Sequence, residues 1–245
     1  MPDALRAGVI LSALFALVAL SALLLKTLSF GRRPFYSRPS GSALSGVIYA
    51  MGPGMMPWEK ESARLHLPTY TAGVLYHAGI FAGLLFLFCD VFSLTLARGL
   101  LLVLRAVLVV GAACGLSLLG KRLFSAKLRK LSCPDDYAAN AIVTLFVILA
   151  AIRAWQVAGL RASFTAPTHS TTAAPGPATV GPLFYAASIL MFLYVPAGKI
   201  RHCFFFFYSR ILLGIFFGRR GALQSRRSLR QEADETRGGW RKLGN

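Results

Sequence analysis

Apolar runs of membrane-spanning length, separated by polar and basic segments, set the pattern of this chain. A bilayer's hydrocarbon core is about 30 Å thick and a helix rises about 1.5 Å per residue, so a span needs roughly 20 mainly apolar residues. The pattern predicts an all-α integral membrane protein with five transmembrane helices, at about 7–25, 70–89, 99–119, 137–154 and 182–202. The first run carries no charge and a single basic residue, Arg6, precedes it, so it reads as an uncleaved helix rather than a secretory signal.

The connections are as informative as the spans. Residues 26–69 are polar and hold Gly52, Pro53, Gly54 and Pro57, which predicts a loop with a short interfacial helix near 58–65. Residues 155–181, rich in Thr, Ala, Pro and Ser, read as a flexible loop with a solvated His169. The last apolar region, 182–218, is too long for one perpendicular span and is interrupted by Pro196, Gly198, Lys199, Arg201 and His202. It reads as a span ending near His202 with a Phe-rich extension to 218 that tilts toward the interface. Residues 1–218 then form one five-helix domain and 219–245 a basic tail.

Composition supports the bilayer as solvent: 56% of residues are hydrophobic and the mean hydropathy is +0.59. A net charge of +18 would suggest nucleic acid for a soluble domain, but here the charge is segregated between the apolar runs, as topology signals are. Lys26, Arg32, Arg33, Arg38, Lys60 and Arg64 fill the first connection, and Lys121, Arg122, Lys127, Arg129 and Lys130 the third. Eight more basic residues follow Gly218, against Arg98 and Arg161 in the other two loops. This asymmetry predicts the N-terminus outside and the C-terminus cytoplasmic, which an odd number of spans satisfies. Arg105, near the start of the third span, reads as a charge that snorkels to the boundary. Cys89, Cys114, Cys133 and Cys203 form neither a CxxC pair nor a CxxCH and read as small apolar residues.

Among the few polar groups, His77 lies about two turns inside the second span, where an imidazole needs a partner. His202 lies at the end of the fifth, next to Lys199 and Arg201. Spans two and five run antiparallel in this topology, so both histidines fall at the inner face. Facing imidazoles of this kind can hold a six-coordinate b-type haem. The plainer alternative is a pair of histidines bonded to neighbouring helices, with Gly73, Gly79, Ala72 and Ala78 serving close packing. Lys199 and Arg201 are candidates for pairing with haem propionates, or simple boundary charges. His66 precedes His77 by eleven residues, as Met191 precedes His202. Pairing His66 with His202 and His77 with Met191 would give two haems, but Pro68 and the charges before it put His66 at the membrane surface, so one haem is preferred.

Three segments carry a resemblance. LYHAGIF (75–81) resembles the second-helix haem motif of the respiratory nitrate reductase gamma-subunit family of membrane cytochromes b. FLYVPAGKIRHCF (192–204) resembles its fifth-helix motif, and KRLFSAKLRKLSCPDDY (121–137) its basic connection between helices three and four. Within that family, residues 56–81 and 198–221 look closest to the membrane cytochrome b subunit of dissimilatory sulfite-reduction (Dsr) complexes and its heterodisulfide reductase relatives. The resemblance implies haem b on His77 and His202, and electron exchange between menaquinone or ubiquinone and a cytoplasmic iron–sulfur subunit of heterodisulfide-reductase type. It further implies other membrane subunits, and residence in a bacterial or archaeal cell membrane. The nitrate reductase members use two further histidines, and the matching positions here are Leu87 and Phe184, so the outer haem is expected to be absent. The redox chemistry of the complex would belong to its partners, with no catalytic residue in this chain. A reading of another class is a membrane scaffold or transport component whose histidines are structural and whose basic loops meet partners or lipid.

Overall fold

The computed structural model describes residues 2–31, 38–165 and 180–222; His169 and the tail beyond 222 lie outside them. Among the described residues there is no strand. The helices are α1 (Pro2–Ser29), α2 (Ala43–Met51), α3 (Glu61–Leu65), α4 (Leu67–Val91), α5 (Arg98–Phe124), α6 (Ala126–Leu131), α7 (Pro134–Thr165), α8 (Val180–Tyr194) and α9 (His202–Arg219). Five stretches are long and apolar enough to cross a bilayer: Asp3–Ser29, Leu67–Val91, Arg98–Phe124, Pro134–Val157 and Lys199–Arg219. The chain is a multi-pass membrane protein. Phe15, Val18, Phe81, Phe88 and Val103 all point outward, an apolar surface that suits lipid and that water would not tolerate.

Four of these stretches enclose the expected spans, each a few residues longer. The fifth differs. The expected span 182–202 is broken: α8 stops at Tyr194, and the membrane-length helix is the Phe-rich segment expected as an extension. Pro196 has no N–H to donate and disfavours helical backbone at the residue before it. The chain turns there instead, with the N–H groups of Ala197 and Gly198 both donating to the Tyr194 carbonyl at 3.1 and 2.9 Å. Gly198 lies directly under the Tyr194 ring, where a Cβ would collide. A 3-10 turn, Lys199–Arg201, then leads into α9. With 15 residues, α8 is about 22 Å long, shorter than the hydrocarbon core. The connection 26–69 also holds more structure than its composition implied. Besides α3, it forms α2 and two 3-10 turns, Pro53–Met55 and Pro57–Glu59.

The chain divides into two compact units. The first comprises Met1–Leu23 and His66–Arg201, the second Leu24–Leu65 and His202–Asn245.

In the first unit α4 and α5 meet backbone to backbone. A Cβ on Gly79 would lie 2.6 Å from the Gly111 Cα, and the reverse distance is the same. Such contacts between small residues are how helices associate in lipid, where apolar burial by itself gives no advantage. α7 and α8 complete the interior, with Phe146, Phe184, Leu108, Val147 and Ser188 fully buried. Phe146 stacks on Phe184 at a centroid distance of 5.8 Å, and Phe86 packs beside it at 5.9 Å. Side-chain pairs at the two ends fix the helix directions. The end of α4 (Asp90), the far part of α7 (Arg153) and the starts of α8 (Tyr185) and α1 (Arg6) are joined at one end. The start of α4 meets the end of α5 at the other, through Lys121 and Thr69. The start of α7 meets the end of α8 there too, through Asp135 and Tyr194. α1, α4, α5, α7 and α8 therefore alternate in direction.

In the second unit α2 lies against α9 through glycines. The Gly46 position touches the backbone of Gly214 and Gly218, and a Cβ on Gly214 would lie 2.5 Å from the Val47 Cα. Ser42 caps α2 by accepting from the Ser45 N–H at 3.4 Å, and the Ser40 N–H donates to the Arg219 carbonyl at 2.9 Å.

Candidate functional site

His77 is positioned by α4, whose buried face carries Tyr76, Gly79, Ala82 and Gly83. One residue on from Tyr76, His77 falls on the exposed side of the helix. Its Nδ1 is 2.7 Å from the Gly73 carbonyl one turn earlier. A carbonyl can only accept, so Nδ1 is the protonated nitrogen and Nε2 carries the lone pair. Imidazoles that ligate metals are held in this way, with the second nitrogen donating to a carbonyl or carboxylate.

The small residues around His77 serve two different purposes. Gly79 is consumed by the contact with Gly111, whereas a Cβ on Gly73 would meet nothing within 4 Å. Helix packing therefore explains Gly79 and leaves Gly73 unexplained. The neighbouring Tyr76 turns inward, its hydroxyl 2.8 Å from Thr144 Oγ1, which donates to Asn140 Oδ1 at 2.9 Å. This polar ladder ties α4 to α7 directly behind the histidine, so the backbone carrying His77 is held on its inner side.

His202 opens α9 and is exposed. It belongs to the second unit and His77 to the first. His66 is the N-cap residue of α4 with non-helical backbone (φ −130°, ψ 44°), and its carbonyl accepts from the Thr69 and Tyr70 N–H groups. The helix that would have placed His66 and His77 on one continuous face is thus interrupted at His66. Met191 is only 4% exposed, within the first unit's interior, whereas His77 is exposed. Leu87 and Phe184, at 3% and 0% exposure, are packed core residues.

Lys199 already has a carboxylate partner. Its Nζ lies 2.9 Å from Asp136, which also takes Arg122 at 3.0 Å, and its backbone N–H donates to Asp135 at 3.0 Å. The Tyr194 hydroxyl bonds to Asp135 as well. Two carboxylates at the start of α7 face the helix dipole's positive end and gather basic groups from α5 and from the turn after α8. Arg201 is exposed.

Two features were not read from the sequence. Arg105 does not snorkel: it is 7% exposed and donates through Nε and Nη2 to the Ala154 carbonyl at 3.2 and 3.0 Å, with Trp155 4.6 Å away across its guanidinium. α7 supplies a carbonyl and a ring face within reach, so the charge is satisfied inside the bundle. The second is the cluster of Asp90, Arg153, Tyr185 and Arg6. Asp90 accepts from Tyr185 at 2.9 Å and pairs with Arg153 at 3.3 Å, with side chains 9% and 21% exposed. It borders a cavity of about 270 Å³ lined also by Phe86, Ser93 and Leu101. A lone acid and a lone base in the last apolar turns of two spans running in the same direction were the available signal. Among the described residues no cluster of three or more His, Cys, Asp or Glu could hold a metal ion; a haem is held by one or two axial side chains and needs no such cluster.

No protein-family model, curated protein or solved structure matches the chain.

Proposed function

We propose that the chain is a haem b electron-transfer subunit of a membrane redox complex, with His77 and His202 as axial ligands of one haem near the cytoplasmic face. The observation that carries this reading is the His77 bond to the Gly73 carbonyl, which prepares Nε2 as a ligand on an outward helix face with open space beside it. The two histidine motifs, 75–81 and 192–204, resemble the corresponding motifs of the nitrate reductase gamma-subunit family and add to it. When bound, haem supplies reversible one-electron chemistry. The residues of this chain hold and orient: Gly73 fixes the His77 tautomer, and the Tyr76–Thr144 bond holds its backbone from behind. Filled core at Leu87 and Phe184 is in keeping with one haem rather than two. Since Lys199 is taken by Asp136, Arg201 is the better candidate for a propionate.

In this reading the N-terminus is outside and the C-terminus cytoplasmic, following the basic loops. Menaquinone or ubiquinone exchanges electrons with the subunit, and an iron–sulfur subunit of heterodisulfide-reductase type docks on the basic cytoplasmic side, in a bacterial or archaeal cell membrane. A reduced-minus-oxidised optical spectrum of the purified protein tests the proposal. A b-type signal near one haem per chain is expected, lost in His77→Ala and in His202→Ala and kept in His66→Ala. Absence of any dithionite-reducible signal in protein from haem-replete cells would leave the scaffold reading in its place.

A further inference from the structure

We propose that the cavity between α2 and α9 is a binding site for the phosphate headgroup of an anionic phospholipid. The site is independent of the haem reading. Arg210 lies on α9, on the side that meets the end of α2. Its Nη2 donates to the Ala50 carbonyl at 2.5 Å, at the end of α2, where a cation also meets the negative end of the helix dipole. Its Nε is buried and has no hydrogen-bond partner among the described residues. Buried N–H groups of a charged side chain are rarely left so, which points to an acceptor outside the chain.

The cavity beside it, about 320 Å³, is lined by Glu59, Lys60 and Arg210 together with the apolar Leu213 and Phe217. The Glu59 carboxylate receives the Tyr49 hydroxyl at 2.7 Å. Two cations and one acid leave a net positive charge beside an apolar wall. The complementary ligand is an anion with several acceptor oxygens and a hydrocarbon part. Phosphate oxygens suit the guanidinium and ammonium donors, and acyl chains suit Leu213 and Phe217. Free phosphate would offer the same oxygens without the apolar contact.

Native mass spectrometry of the full chain, delipidated in neutral detergent, tests the site with phosphatidylglycerol, phosphatidylcholine and inorganic phosphate as separate probes. Phosphatidylglycerol is expected to bind at least tenfold more tightly than phosphatidylcholine. Arg210→Gln should weaken it at least tenfold and Lys60→Gln severalfold, with Lys127→Gln, in the other unit, unchanged. Equal binding of the two lipids overturns the proposal, as does binding of inorganic phosphate without phosphatidylglycerol. Should Arg210→Gln fail to fold, Lys60→Gln decides: unchanged phosphatidylglycerol affinity in that variant overturns the site.

Discussion

Gly73 and Gly79 stand six residues apart on α4, and alanine at each should have opposite consequences. At Gly79 the new methyl would lie 2.6 Å from the Gly111 Cα, against the roughly 3.5–4.0 Å that two carbons adopt at ease. The obstacle is backbone rather than the tip of a flexible side chain, so α4 and α5 must separate by about 1 Å. A gap of that size forfeits a quarter to a half of the dispersion energy of each affected contact. Overpacking of this kind costs about 1–3 kcal/mol. At Gly73 the methyl meets nothing, and alanine is the better helix former by about 0.8–1.0 kcal/mol. The assay is unfolding of the purified protein by SDS titration, with haem content read on the same samples. Gly79→Ala should unfold at lower SDS. Gly73→Ala should unfold at the same or higher SDS while losing haem, because the methyl intrudes on the open side of His77. If both variants lose stability equally, the division of labour between the two glycines is wrong. If Gly73→Ala is stable and retains haem undiminished, the open space beside His77 is not where the macrocycle approaches.

Asp90→Ala leaves Arg153 without its counter-charge in a partly shielded position, and should destabilise by up to about 3 kcal/mol, less than a fully buried pair because Arg153 is 21% exposed. A double-mutant cycle with Arg153→Ala measures that coupling, and additive single effects would show the pair to be inert. Phe184→Ala empties a fully buried position between Phe86 and Phe146 and should cost about 3–5 kcal/mol in the same SDS titration, with haem content unchanged if the pocket is held elsewhere.

Four spans were legible because each is a mainly apolar run of bilayer-crossing length bounded by charge or proline. The fifth was not. Residues 182–218 hold apolar runs on both sides of 196–202, and the inability of Pro196 to continue a helix, with Gly198 folding beneath Tyr194, decides where one helix stops. α2 was missed for another reason. Its nine residues are too few to signal a helix alone, and what holds it is contact with glycines about 170 positions away, a relation no local pattern carries. At the candidate site, the residue types were legible but their allegiances were not. By residue type Lys199 suits a propionate and a boundary equally, and its partner Asp136 comes from a helix more than 60 positions earlier in the chain. Arg105 looked close enough to the surface to escape, yet the Ala154 carbonyl and the Trp155 ring were nearer.

The pairing of Asp90 also bears on the order in which the bundle assembles. α4 and α5 are joined by only six residues, 92–97, and touch along their own glycines, so this hairpin can close as soon as both helices have entered the bilayer. Asp90 ends the first arm of that hairpin, but its partners come later, Arg153 by 63 residues and Tyr185 by 95. Until α7 and α8 arrive, the hairpin carries an unmatched carboxylate at its rim. Docking of those helices then removes the mismatch in one step, which makes the ion pair a latch on the last stage of assembly rather than a seed of the first.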